Sequence, residues 1–133
     1  MENLKDKPGV IRLEADMPLS AWQAMPLVGD AEPGAQPMER FNRVLQTIVR
    51  GEFELRAGVW QAQAYSERLR DYPYDEIVFV VDGSLSIIDQ AGNEECFVAG
   101  DCFVLQRGFD GEWRQRESLK IFHMTVAPVE AGG

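Results

Sequence analysis

From Gly51 onward the chain is cut into short apolar runs by turns built on glycine and aspartate, and that spacing leaves room for little besides β-structure. Phe53, Leu55 and Ala57 alternate with Glu52, Glu54 and Arg56, the two-residue period of a strand with one face covered. Gly58 to Tyr65 continues in the same manner, and Ser66 to Tyr74 reads as a polar loop ending in Tyr72-Pro73-Tyr74. Ile77-Val78-Phe79-Val80-Val81 is a continuous apolar run between Asp75-Glu76 and Asp82-Gly83, which predicts a strand buried on both faces. Leu85 to Ile88 leads into Asp89-Gln90-Ala91-Gly92-Asn93, a hairpin turn. Cys96-Phe97-Val98, the turn Ala99-Gly100-Asp101, and Cys102 to Leu105 follow. After the loop 106–111 come two last strands, Trp113 to Arg116 and Lys120 to Val126. The pattern predicts an all-β sandwich or barrel.

The 133 residues suffice for one domain with one core. Five prolines (Pro8, Pro18, Pro26, Pro33 and Pro37) break up the first third, which reads as an irregular N-terminal arm over 1–43, ordered in part by docking. Ile11 to Leu13 and Trp22 are its candidate anchors. Met38, Phe41, Val44, Leu45 and Ile48 fall at helical spacing, but the β-branched content favours a strand from about Val44. The barrel domain is expected over 44–128, with a flexible tail at 129–133. A formal net charge of −9 repels phosphate backbones, so nucleic-acid binding is not expected. The N-terminus has no apolar core of a secretory signal, and no run reaches the length of a membrane span. Cys96 and Cys102 are too few for a disulfide framework and, lying in apolar runs, are expected as buried free thiols. A cytoplasmic, soluble protein with no membrane partner is expected.

The glycine placement carries a more specific resemblance. Glu76 is followed after six residues by Gly83, and Gly100 after five by Gln106-Arg107-Gly108. These spacings resemble the end of the first and the start of the second cupin motif, each carried on a hairpin of a jelly-roll barrel. The series Gly58-Val59-Trp60, Asp75-Glu76, Gly83, Gly100 to Val104 and Gly108 to Trp113 is similar to one cupin subgroup. It comprises the small DUF861 proteins related to the (S)-ureidoglycine aminohydrolase cupin domain, including EutQ-like, RmlC-like jelly rolls. The resemblance covers roughly residues 45–127 and implies a single-domain, all-β cupin barrel. Most of the implied metal ligands are absent. Counting back from Glu76, the histidine positions fall at Arg70 and Tyr72, or at Leu69 and Asp71, and the second-motif histidine position is Gly111. Glu76 alone survives, whereas a catalytic divalent site takes about three protein ligands. No cofactor is therefore expected; a nonstandard divalent site of Asp75, Glu76 and tyrosines is the alternative.

Glu76, pointing inward as the motif implies, shares its face with Val78 and Val80, and a lone inward carboxylate requires a partner. Lys120, set on one face of the last strand with Phe122, Met124 and Val126, is the candidate partner in a catalytic pair with Glu76; its alternative is an exposed strand-end lysine. Gln61 and Gln63, on one strand face with Tyr65, are candidate ligand-binding residues or face water. Tyr72 and Tyr74 flank Pro73 at the expected barrel mouth and join the ligand-binding set. Trp113, with Trp60, lines a cavity or fills the core. His123, the single histidine, alternates away from Lys120 and reads as a packed or surface residue rather than a catalytic base.

Three functions follow. The first is a metal-independent cupin that binds a small polar or amine-bearing metabolite in the barrel. The second is an aminohydrolase-like enzyme of nitrogen or amine metabolism using Glu76 as acid–base group or metal ligand. The third is a structural dimerisation module whose barrel is filled by Val59, Val78, Val80 and Trp113. The resemblance also implies a homodimer.

Overall fold

A computed structural model describes residues 9–16, 23–24, 30–31 and 41–129. Trp22 of the arm and residues 130–133 of the tail lie outside the described residues. The described elements are all strands. Two short ones come first, β1 (Gln23–Ala24) and β2 (Asp30–Ala31). The long hairpin of β3 (Phe41–Arg50) and β4 (Phe53–Ala62) follows, then β5 (Tyr65–Leu69), β6 (Asp75–Asp82) and β7 (Ser84–Asp89). The set closes with β8 (Glu94–Val98), β9 (Cys102–Leu105), β10 (Gly111–Gln115) and β11 (Leu119–Pro128).

They form two antiparallel sheets, one of six strands ordered β1-β3-β4-β11-β6-β9 and one of five ordered β2-β5-β10-β7-β8. Apart from the β3–β4 and β7–β8 hairpins, the chain from β4 on changes sheet at each connection, which is the jelly-roll path. The strand placed from about Val44 begins at Phe41, and the arm contributes a short strand to each sheet.

The inner faces meet in one core. Leu69, Tyr65 and Trp113 from the five-stranded sheet and Val78, Val80 and Ile121 from the six-stranded sheet belong to it. Directly opposed residues of an antiparallel pair share a face. The register Ile121↔Trp60, His123↔Gly58 and Thr125↔Glu76 therefore puts Leu119, Ile121, His123 and Thr125 inside, and all four are buried. Val59 pairs with Phe122 on the opposite face; it is fully buried but lies outside the core cluster.

Several expectations change. Residues 66–74 are not all loop, since Tyr65–Leu69 forms β5. Its inward set is Tyr65, Glu67 and Leu69, and a glutamate in the middle position conceals the alternation. β6 is not buried on both faces: Glu76, Val78 and Val80 point in, while Ile77 and Phe79 remain 41% and 40% exposed. The outer face of the six-stranded sheet is itself apolar there, with Phe79 and Phe122 stacked at 6.3 Å. Cys96 and Cys102 are free as expected but exposed, because each sits on the outward phase of its strand.

The corners between sheets are tight where they meet. Gly83, with φ +87°, carries the chain from β6 to β7 against the β10–β11 connection. A Cβ built at Gly83 would lie 2.0 Å from the Ser118 carbonyl oxygen, and Ser84 Oγ donates to Glu117 Oε2 (2.6 Å) across the same corner. Left-handed backbone and a backbone collision act together, so Gly83→Ala is expected to lower stability by about 2–4 kcal/mol. Urea denaturation monitored by tryptophan fluorescence checks this, and a loss below about 0.5 kcal/mol would mean that the corner relaxes freely.

Candidate functional site

β6 and β11 bring Glu76 and His123 together in the core. Glu76 is opposite Thr125, and His123, one inward step away on β11, is opposite Val78. His123 Nδ1 stands 3.2 Å from Glu76 Oε2, both side chains being over nine-tenths buried. The facing position on β4 is Gly58, which brings no side chain against the imidazole. The other carboxylate oxygen, Oε1, accepts the Tyr72 hydroxyl at 2.5 Å.

Tyr72 is held by its backbone. The loops 70–75 and 106–110 are zipped together: Tyr72 N–H donates to the Phe109 carbonyl (3.0 Å) and Gly108 N–H to the Tyr72 carbonyl (2.8 Å). Asp71 N–H donates to Asp110 Oδ1 and Arg107 N–H to Asp75 Oδ1, both at 2.9 Å. The ring of Tyr74 meets that of Tyr72 edge-on at 5.5 Å. Burial, and after it the Glu76 carboxylate, pushes the Tyr72 hydroxyl far above the ordinary tyrosine range, so it remains a proton donor.

A second inward carboxylate, Glu67, is 5% exposed and accepts the Tyr65 hydroxyl at 2.7 Å. Glu67 is a buried site residue that the sequence pattern does not reveal. The signal for it was the inward series Tyr65, Glu67, Leu69, hidden by the polarity of the segment. Deeper still, Trp113 Nε1–H donates to Gln115 Oε1 (2.7 Å), and Gln115 Nε2 donates to the Gln63 carbonyl (3.3 Å). Trp60 packs edge-on against Trp113 at 5.8 Å.

The candidate residues thus fall in four places. Tyr72, Tyr74 and Glu76 meet at one end of the barrel, and Trp113 lies in the core. Gln61 lies opposite Lys120 on the outer face of the six-stranded sheet, and Gln63 is exposed beyond the end of β4. Lys120 is a correction: it lies on the face of β11 turned away from Glu76, and its Nζ stands 3.3 Å from Asp16 Oδ1. The apolar residues Phe122 and Met124 marked the wrong face as inward, because the true inner face of β11 carries two polar residues, His123 and Thr125.

The residues present do not fit the metal that the fold implies. Leu69 is in the core and Arg70 and Asp71 are exposed, while the Tyr72 hydroxyl is directed at Glu76. At Gly111, a Cβ would lie 2.3 Å from the Ile88 carbonyl oxygen and 2.5 Å from the Phe109 ring. That position is closed to a histidine by backbone and by the Phe109 side chain. Among the described residues, no group of three or more His, Cys, Asp or Glu is placed to hold a metal ion.

Beside this end of the barrel lies a cleft of about 800 Å³ lined by Glu95, Phe97, Phe103, Leu105, Arg107 and Phe109, with further residues of β7 to β9. Phe97 and Phe103, both in its lining, stack on each other with ring centroids 4.1 Å apart. It adjoins the buried array: Leu105 is the ladder partner of Glu76, and Phe109 is bonded to Tyr72.

Two facing antiparallel sheets on a jelly-roll path, with the motif glutamate Glu76 and the motif glycines Gly83, Gly100 and Gly108 in place, define a small cupin. The family model of the EutQ-like cupin domain matches residues 51–120, more than half of the chain, and the chain belongs to that family. The Clostridium difficile EutQ protein superposes with a TM-score of 0.57 at 21% identity, covering 69% of this chain and 70% of that one. A putative ethanolamine utilization protein Q of Salmonella typhimurium LT2 gives 0.56 at 20% identity, over 76% and 80%. A DUF861 family protein of Pseudomonas syringae pv. tomato gives 0.61 at 16% identity, over 77% of this chain and 44% of that one. At such identities the likeness is one of fold. The comparison with curated proteins finds no match.

The Tyr72 hydroxyl makes stability fall at alkaline pH. Below the ordinary tyrosine value of 10.0 both the folded and unfolded states keep the proton and the contribution is fully present. Above it the unfolded chain ionises while folded Tyr72 does not, so stability is lost as pH rises. Tyr72→Phe is expected to flatten this decline between pH 9 and 11 while costing about 1–3 kcal/mol at pH 8 through the lost bond to Glu76. Urea midpoints of the two proteins against pH check this; parallel declines would assign the effect to other groups.

Proposed function

We propose that the protein is a metal-independent cupin that binds a small polar or amine-bearing molecule in the cleft at the barrel mouth. The observation that carries this reading is the cleft itself. Its size suits a metabolite, and its lining combines the stacked Phe97 and Phe103 with polar and charged side chains, the usual make-up of a small-molecule site. The loops forming that end are tied by four backbone-anchored bonds, so the site is formed before a ligand arrives. The mismatch between the chain's residues and the metal-ligand positions supports metal independence. One oxygen of Glu76 accepts the Tyr72 hydroxyl and the other lies 3.2 Å from His123 Nδ1, which favours a role in holding the barrel end together over turning over a substrate. The name of the Salmonella neighbour, putative ethanolamine utilization protein Q, is in keeping with an amine-bearing ligand.

The test has two parts. After incubation with manganese, iron, nickel or zinc and desalting, the protein is expected to retain far less than one metal per chain. Stoichiometric metal that Glu76→Ala removes would overturn metal independence. In a screen of small polar metabolites followed by protein NMR, binders are expected to shift the resonances of Phe97, Phe103 and Phe109 equally with and without chelator. Binders that move other surfaces and leave these three unchanged would overturn the cleft as the site.

A further inference from the structure

The charges around the cleft differ in whether the fold already uses them. Asp89 accepts the Asn93 side-chain amide and the Asn93 and Ala91 backbone N–H groups, which hold its carboxyl below the usual range. Glu94 is 3.4 Å from Arg116 Nη1. These two acids serve the hairpin and its neighbouring strand. Glu95 and Arg107 differ. Glu95 stands opposite Ile87 on the inward phase of β8, and Arg107 rises from the loop after β9, anchored through its backbone N–H to Asp75. Among the described residues neither side chain has an ion pair or hydrogen bond within the protein, although both line the cleft. One negative and one positive group are thus left over in the same cleft, with the stacked Phe97–Phe103 pair among its lining residues.

We infer that the cleft selects a zwitterion: a small molecule with an ammonium group, a carboxylate and an apolar body. The inference rests on the cleft being a binding site, as proposed above, and names the class of ligand. The carboxylate takes the Arg107 guanidinium, whose fork of N–H donors matches two carboxylate oxygens. The ammonium is set on Glu95, where an aromatic ring face adds attraction for a cation. The apolar body covers Phe97 and Phe103. A plain amine leaves Arg107 unanswered and a plain acid leaves Glu95 unanswered, so each forfeits one charged contact. Both groups are exposed and face water, so each contact is screened and contributes selectivity rather than most of the affinity.

Three probes of one size separate the alternatives: L-phenylalanine, phenethylamine, which lacks the carboxylate, and 3-phenylpropionate, which lacks the amine. Titrations read by NMR at the Phe97 and Phe103 resonances are expected to give phenylalanine about tenfold tighter binding than either of the others. Glu95→Gln is expected to bring phenylalanine down to the level of 3-phenylpropionate, and Arg107→Gln to that of phenethylamine. Both positions are exposed, so the folded state survives either change. Phenethylamine or 3-phenylpropionate binding in the cleft as tightly as phenylalanine would overturn the zwitterion while leaving the cleft as the binding site. If none of the three moves these resonances, while metabolites in the broader screen do, this ligand class fails. If nothing in either set moves them, the site itself fails.

Discussion

A carboxylate inside a small barrel has to be answered by neighbours, and the geometry of this barrel's end follows from how Glu76 is answered. An unpaired charge at that depth would cost about 3–5 kcal/mol, a large fraction of the stability of a domain this size. His123 Nδ1 stands beside one oxygen and the Tyr72 hydroxyl binds the other. The histidine comes from the neighbouring strand and needs only the correct phase. The tyrosine comes from a loop, which must be drawn inward to reach. That loop in turn is bonded to the loop carrying Arg107 and Phe109. The placement of the cleft wall is thus tied through Tyr72 to a charge in the core.

The same arrangement explains why the loss of metal ligands is not a loss of order. In a metal-loaded barrel, a cation would draw the motif side chains to one point. Here Tyr72 occupies one of the histidine positions and serves Glu76 directly, and Gly111 allows the Ile88 carbonyl and the Phe109 ring to close over the other. A hydrogen-bonding phenol and an imidazole replace the cation as the groups facing the glutamate. Glu67 repeats the solution on the opposite sheet with Tyr65, so Glu76 and Glu67, both buried, are each bonded to a tyrosine. Both are charge-assisted bonds in a water-poor interior, where an unanswered acceptor would be most costly.

Much of the fold was legible because turn chemistry and strand period agree after Gly51. The hairpin at Asp89 to Asn93 and the corners at Gly83 and Gly100 lie where the sequence marks them. What was not legible follows from one ambiguity: period 2 reveals that two faces alternate but not which one is inside. In β11 the more apolar series, Phe122, Met124 and Val126, faces out, and the series with His123 and Thr125 faces in. The apolar pattern therefore turns Lys120 toward Glu76 and turns His123, the residue that does meet Glu76, away from it. β6 gave no warning because both of its faces are apolar, and β5 was missed because Glu67 replaces an expected apolar residue in its inward set. Polar residues that pair inside a barrel invert the hydrophobic pattern, so the strands that build the site are those the pattern misreads.

The cleft residues escaped sequence reading for a different reason. Nothing in the sequence marks Glu95 or Arg107 among the 22 acidic and 13 basic side chains. Structure distinguishes them by subtraction, once the charges used in turns and ion pairs have been removed. Their setting also bears on what reaches the cleft. A protein with net charge −9 repels anions at long range and attracts cations. A simple carboxylate approaches against that field, and a simple cation is drawn to acids across the whole surface. A zwitterion carries no net charge, so the long-range field neither excludes it nor spreads it over the surface. Its recognition falls to the short-range pair at the barrel mouth, where within a Debye length of about 8 Å the two ends of the ligand are sensed separately.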